Sequence, residues 1–314
     1  MEFETAPYIE LDDYKAPKNI KSIFVPMKDN IKLRLIYWKS VTANDENNGT
    51  ILLQQGHNEF IEKYFETIQE LLDRNFNVIC FDWRGQGLSE RMIKDVNKQY
   101  IEDFKIHHKD LQYIIEDIIL KNFSRPLIGI GHSMGGCILL SFLKENEKIF
   151  DKVILSAPML GFKGEKLLLP LIDIANFFFA KDSFLVGSKP NMGEETPFEE
   201  NDLTSDQYRY TRTQKLVRKN KNLRLWGVTN AWAKAVKAIL SEIRKKDWAE
   251  TIDTEILFIN SLGDRVVSSK HVAEMAKKLK NADIINFESC EHEIFMEKDK
   301  FRKILWKEID NFLV

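Results

Sequence analysis

From Thr50 to Pro158 the chain alternates between two hydrophobic periods, and this alternation limits its fold more than any other feature. "TILLQQ", "NVICFDW", "PLIGIGH" and "KVILSAP" are short, apolar and β-prone. Between them, "IEKYFETIQELLDRN", "IEDFKIHHKDLQYIIEDIILKN" and "GCILLSFLKEN" place their apolar residues at helical spacing. Near-continuously apolar strands separated by helices predict a mostly parallel sheet covered by helices on both faces. Ahead of the alternation, "IKSIFVPM" and "IKLRLIYWK" flank "KDN" and read as an antiparallel hairpin whose turn lacks glycine. A polar linker, "TANDENNG", comes next.

The alternation stops at Pro158 and resumes with "EILFINS", a helix over 269–279, the strand "ADIINF" and a closing helix "KFRKILWKEIDNFL". Residues 158–248 between them contain helix-compatible segments and no convincing strand. A helical insertion between two sheet strands is most simply a cap over the carboxyl edge of the sheet, where open α/β sheets bind ligands. The predicted division is therefore a core of 1–157 and 249–314 with a cap of 158–248.

Bulk properties exclude several classes. A net charge of −2 over 314 residues gives no global reason to bind nucleic acid. Three cysteines, Cys80, Cys137 and Cys290, lie in or beside apolar segments, which suits a reducing, cytoplasmic setting better than a disulfide framework. The acidic beginning "MEFETAPYIELDDYKAPKN" has no apolar core of a secretory signal. "LLLPLIDIANFFFA" is too short to cross a bilayer and carries Asp173. Contact with a membrane would be peripheral, through the cap.

The chemistry is concentrated in "LIGIGHSMGGC", a strand, a glycine-flanked serine and a helix. A serine forced into such a turn projects its Oγ above the sheet, with the helix N-terminus beneath it. Gly131 and Gly135, two residues to either side, must be small because the turn brings them together. The pentapeptide alone arises by chance in roughly one chain in ten of this length. The carboxyl-terminal part of the chain adds weight to it. A nucleophile at Ser133 requires an acid and then a histidine after late strands, and Asp264 and His292 occupy those places. His107 and His108 lie in a polar helix and read as solvated, His132 fills the variable position of the turn, and His271 opens a helix. Asp253 and Asp283 precede strands, at the wrong end of the sheet.

These roles predict acyl transfer. His292 takes the Ser133 proton, Asp264 fixes the imidazole tautomer, and the backbone N–H groups of Met134 and His57 form an oxyanion hole. The chemistry calls for neither metal nor cofactor.

Four blocks, "GHNEFIEKY", "FDWRGQGLS", "GHSMGG" and the pair "GDRVV" with "EHEIF", resemble the α/β-hydrolase superfamily, and more narrowly its monoacylglycerol-lipase and bacterial lysophospholipase group. "DLTSDQYRYTRTQKLVRKNKNLRLWGVTNAW" resembles the cap of lysophospholipase-like members. The resemblance implies an α/β-hydrolase fold, a serine esterase acting on lysophospholipid or monoacylglycerol, and a bracing role for Asp82 and Arg84 around Gly85 and Gly87. One departure is Gln55-Gly56, where many relatives have His-Gly; the Gly56-x-x-Glu59 spacing is intact.

The cap leaves specificity open. "LLLPLIDIANFFF" suits an acyl tunnel, a lipid surface or packing on the core. Trp226 and Trp232 border the entrance or anchor the cap. Residues 207–224 hold seven Lys/Arg and no acid, which fits a solvated face or contact with an anionic head group. A small-ester or thioester hydrolase, a proline-iminopeptidase-like aminopeptidase and a non-enzymatic receptor using the capped pocket remain as alternatives. A dehalogenase or epoxide hydrolase would need aspartate at position 133. Cys290, beside the histidine loop, is a candidate for redox sensitivity by position alone.

Overall fold

A computed structural model describes residues 3–40, 47–188 and 190–314. Most of the polar linker, residues 42–46, lies outside the described residues. Strands β1 (Glu4–Thr5), β2 (Lys21–Pro26) and β3 (Lys32–Trp38) run antiparallel to one another. The turn between β2 and β3 closes without glycine because Asn30 adopts φ 68° and donates its N–H to Met27 O. Asparagine tolerates this left-handed conformation better than most residues.

The parallel part comprises β4 (Thr50–Gln54), β5 (Asn77–Phe81), β7 (Leu127–His132), β8 (Lys152–Ser156), β10 (Glu255–Ser261) and β11 (Ala282–Phe287). The nine-stranded order is β1-β2-β3-β5-β4-β7-β8-β10-β11, with β3 antiparallel to β5 and the strands from β5 to β11 parallel. Strands β4, β5 and β7 are buried throughout, as expected for strands covered on both faces.

One face packs α1 (Phe65–Asp73) and α9 (Asp299–Leu313) through Phe65, Ile68, Leu71, Leu305, Trp306 and Ile309. The other packs α2 (Lys105–Tyr113), α4 (Met134–Leu143) and α8 (Ser269–Lys278). The predicted long helix begins at Lys105, later than the pattern implied, because Asp103 accepts the Lys105 N–H and stops the turn there. It then passes through a π-helical stretch, Ile114–Ile119, into α3 (Leu120–Asn122). The wider turn brings Ile114, Ile115, Ile118 and Ile119 to the core together.

Between β8 and β10 lie α5 (Glu165–Phe178), α6 (Gln207–Lys219) and α7 (Asn230–Ile243). This stretch also contains a strand that the sequence did not suggest. β9 (Gly227–Val228) runs parallel to β6 (Lys98–Gln99) in the loop after β5. Flanking bonds from Trp226 N to Asn97 O (2.7 Å) and from Thr229 N to Gln99 O (3.1 Å) extend the stitch. Two residues of pairing carry too little periodicity to be read from sequence.

Candidate active site

Ser133 links the carboxyl end of β7 to α4 with φ 49° and ψ −115°. Such a backbone costs of order 1–3 kcal/mol and persists only where its surroundings enforce it. A Cβ on Gly131 would approach the Gly136 backbone at 2.8 Å, and one on Gly135 would meet Gln55 O at 2.6 Å. The small residues are therefore what allow the turn to close against the loop after β4.

The loops after β10 and β11 bring the other two predicted residues to the serine. His292 Nε2 lies 2.9 Å from Ser133 Oγ, and His292 Nδ1 lies 2.7 Å from Asp264 Oδ2. The second Asp264 oxygen accepts the N–H groups of Val266 (2.7 Å) and Val267 (2.9 Å). Burial alone would raise this carboxyl, but His292 and the two backbone donors hold it below the ordinary aspartate range. Asp264 is thus ionised and oriented at neutral pH.

The loop after β4 lies directly against Ser133: a Cβ on Gly56 would come within 3.0 Å of Ser133 Cβ. Glu59 accepts the Gly56 N–H at 2.5 Å, and Gln86 accepts that of Asn58 at 2.6 Å. Between them, the His57 N–H has no partner among the described residues, nor does the Met134 N–H at the start of α4. Gln55 donates its side-chain Nε2 to Asp82 (3.0 Å), and its backbone oxygen accepts the Trp83 indole N–H (2.8 Å). Asp82 also accepts from Arg34, Ile61 N and Leu88 N, while Arg84 forks onto Asp110 and Asp29. Gly87 has φ 50°, and a Cβ there would fall 2.2 Å from the Asp82 carboxyl.

A buried charge group beneath the site was not anticipated. Lys63 Nζ lies 2.5 Å from both Glu59 and Glu293, and all three are at most 7% exposed. Burial works against the Glu59 charge, but Lys63 dominates and holds its carboxyl down to about 2; Glu293 is pushed up by burial. Lys63 thereby ties the loop that carries His57 to the residue after His292. The sequence held a signal, because Glu59 and Lys63 are one helical turn apart and Glu293 is the residue after the histidine.

The remaining histidines are placed differently from one another. His107 and His108 are not solvated: they are 0% and 8% exposed. His107 packs edge-on against Trp83 and Phe104, and His108 Nε2 meets Ser141 Oγ at 2.8 Å. Burial lowers them to about 3 and 4, so both are neutral. The helix is polar in composition, but His108 faces α4 and His107 faces Trp83 and Phe104. His132 is also buried, with Nδ1 3.1 Å from Ser156 O. His271 lies 3.5 Å from Glu165, and Asp253 pairs with Lys280. The half-buried His57 ring packs on Trp232 at 4.8 Å and is lowered by burial to about 4. Cys290 is buried, and burial pushes its thiol up to about 12, which suppresses the thiolate that oxidation requires. Among the described residues no group of three or more His, Cys, Asp and Glu converges as a metal set would.

Ser133 and His292 open onto a cavity of about 280 Å³ whose walls include His57, Glu59, Lys63, Tyr210, Gln214, Arg224 and Glu293. A second cavity, of about 450 Å³ and almost wholly apolar, is lined by Phe162, Leu169, Ile172, Phe179, Leu185 and Val236. Trp232 lines this second cavity while its ring touches His57, which lines the first.

A family model described as Hydrolase_4, serine aminopeptidase S33, matches residues 45–299. The chain is 26% identical to a probable lysophospholipase L2 of Haemophilus influenzae over 91% of this chain and 90% of that protein. It is 25% identical to the lysophospholipase L2 of Escherichia coli K12, over 90% and 84% respectively. A soluble variant of the Saccharomyces cerevisiae monoglyceride lipase, solved with a substrate analogue, superposes with a TM-score of 0.75 at 17% identity. That match covers 96% of this chain and 99% of the other.

Proposed function

The chain belongs to the Hydrolase_4 family of α/β-hydrolases, and on that footing we propose that it is a serine ester hydrolase cleaving the acyl ester of a lysophospholipid or monoacylglycerol. The observation that carries the reading is the unbroken chain of contacts from Ser133 Oγ through His292 to Asp264, opening onto one cavity. Relatives named lysophospholipase align over nine-tenths of this sequence, which supports the substrate class.

The proposed reaction has two halves. Ser133 Oγ adds to the ester carbonyl as its proton passes to His292 Nε2. The oxyanion accepts hydrogen bonds from the His57 and Met134 N–H groups, each donor contributing roughly 10²–10³ in rate. The intermediate collapses, the C–O bond to the alcohol breaks, and His292 returns the proton to the departing alkoxide. Water then attacks the acyl-Ser133 ester, giving its proton to His292, and the acid leaves as that proton returns to Ser133. Asp264 holds Nδ1 protonated throughout, so that Nε2 is the basic nitrogen.

The amide alternative needs a carboxylate free to bind an α-ammonium group. Glu59 and Glu293 line the cavity, and both are tied to Lys63. In the acidic stretch 193–202, Glu195 pairs with Arg218 and Asp202 with Arg265, while Glu194, Glu199 and Glu200 are exposed and do not line the cavity. Ester substrates, which present no such cation, fit this lining better.

We propose further that the apolar cavity beside Trp232 receives the acyl chain and that α5 rests on lipid. Leu171, Ile174, Phe177 and Phe178 are more than half exposed on that helix. Among the described residues no helix is long and apolar enough to cross a membrane, so this contact is peripheral.

Hydrolysis by wild type and Ser133→Ala of p-nitrophenyl esters, a lysophospholipid, a monoacylglycerol and an aminoacyl amide tests the proposal. Loss of about 10⁶ in kcat in the variant, with long-chain esters preferred by wild type, is expected. Preference for the amide, or equal rates in both proteins, overturns it.

A further inference from the structure

We infer that Arg224, which with Gln214 lines the catalytic cavity, is a phosphate-recognising subsite that selects a phosphodiester head group over an uncharged glycerol. This inference rests on the ester-hydrolase reading and narrows its substrate. It starts from the basic run 207–224, whose cations the structure separates by what each one meets.

Most are already committed. Arg209 reaches Glu66, Asp206 and Asp299, and Arg212 reaches Glu66. Arg218 forks onto Glu195 with both contacts at 2.6 Å, Lys215 faces Asp13, and Lys219 donates to Glu10 O. Lys221 is exposed to solvent. Arg224 differs from all of these. It is half-buried, lines the cavity that holds Ser133 and His292, and its guanidinium has neither hydrogen bond nor ion pair among the described residues.

The neighbouring acids do not compensate it. Glu195 is held by Arg218, and Glu293 by Lys63. Burial without a partner lowers the Arg224 guanidinium from its ordinary value, although it remains charged near neutrality. A partly desolvated guanidinium with no counter-ion carries a cost, and an arriving anion offsets it.

A second group lining the cavity is also unsatisfied. Gln214 is 5% exposed, its Oε1 is enclosed without a partner, and its side-chain amide makes no hydrogen bond among the described residues. An amide presents both a donor and an acceptor, which suits a phosphate oxygen beside a glycerol hydroxyl. Arginine's fork of parallel N–H groups matches two phosphate oxygens. In a lysophospholipid only the glycerol backbone separates the scissile ester from phosphorus, so both must occupy one cavity when Ser133 attacks. A monoacylglycerol would leave Arg224 unpaired, as it is in the free protein, and so would gain nothing from it; selection comes from what the phosphate gains.

The test compares lysophosphatidylcholine with the monoacylglycerol of the same acyl chain, using wild type, Arg224→Gln and Arg224→Lys. A charged hydrogen-bonded pair lost in the glutamine variant should lower kcat/KM for the lysophospholipid about ten- to hundredfold and leave the monoacylglycerol within about twofold. The lysine variant, which keeps charge but not the fork, should fall between. Equal losses on both substrates, or no loss on either, overturn the inference while leaving ester hydrolysis intact. A calorimetric titration with glycerophosphocholine, glycerol and inorganic phosphate provides a readout independent of turnover. Binding of glycerophosphocholine to wild type that is weakened in Arg224→Gln supports the subsite even if no ester is cleaved. Equal binding by the two proteins, no binding, or binding of inorganic phosphate as tight as that of glycerophosphocholine overturns it.

Discussion

Replacing Asp264 by asparagine changes one oxygen to an NH₂, and the surroundings of Asp264 dictate which one. Oδ1 accepts two backbone N–H groups, from Val266 and Val267, while Oδ2 faces His292 Nδ1. If the amide nitrogen took the Oδ1 place, donor would meet donor twice in a buried site. Two unsatisfied groups would then cost about 2–6 kcal/mol. The asparagine oxygen therefore keeps the backbone bonds, and its NH₂ faces His292. Nδ1 must then accept, which moves the ring proton to Nε2, 2.9 Å from Ser133 Oγ. A protonated Nε2 cannot take the serine proton. Loss of the correct tautomer lowers kcat about 10⁴-fold, equivalent to about 5.5 kcal/mol in the barrier. Steady-state hydrolysis of a short p-nitrophenyl ester at pH 7, with circular dichroism to establish folding, is the assay. KM should change little, because the substitution leaves the cavity walls in place. A folded Asp264→Asn protein with kcat within about tenfold of wild type would refute the assigned role of the carboxylate.

Burial and exposure lead to two more expected outcomes. His107 is fully buried with both ring nitrogens lacking a partner, and it is held near pKa 3 where an exposed histidine titrates near 6.5. Between these values the unfolded chain binds a proton that the folded chain does not, so this residue's contribution to stability falls as pH drops from 6.5 towards 3. Urea denaturation of His107→Leu against wild type should show the variant gaining about 2 kcal/mol relative to wild type on going from pH 7 to pH 5; a pH-independent difference would contradict the neutral assignment. Phe177 and Phe178 are 83% and 71% exposed on α5. The double substitution Phe177→Glu, Phe178→Glu should weaken sedimentation with phosphatidylcholine vesicles at least about tenfold while sparing hydrolysis of a soluble short ester, and unchanged sedimentation would remove α5 from the membrane contact.

The parts legible in the sequence are those whose residues depend on local period or tight sterics. Strands β4, β5 and β7 are continuous apolar runs because both faces of each are covered. Gly131 and Gly135 are visible because a Cβ at the first would strike the Gly136 backbone and one at the second would strike Gln55 O in the loop after β4. That Ser133, Asp264 and His292 would lie together could be expected from their order relative to strands, and their side chains do meet. What escaped depends on contacts between distant segments. His107 and His108 sit in a helix of polar composition and are buried because Trp83 and Phe104 pack against the first and α4 against the second. The Lys63 bridge joins two loops separated by more than two hundred residues; the Glu59–Lys63 spacing hints at half of it, and nothing local connects that half to Glu293. Arg224 is one of seven similar cations until the partners of the others are known.

The position of the insertion in the sheet has a consequence for how such a protein can change over time. β8 and β10 are neighbours in the sheet, yet the whole run from Ala157 to Thr254 lies between them. Closing a long connection costs entropy that grows only with the logarithm of its length, about 0.6 kcal/mol per doubling. A connector one-tenth as long would therefore favour the pairing of β8 with β10 by only about 2 kcal/mol. Ser133, Asp264 and His292 stay on the loops of the sheet whatever the connector contains. Residues could be added to, removed from or exchanged within the insertion at small thermodynamic penalty, leaving head-group and chain-length preference free to drift while the reacting atoms keep their places.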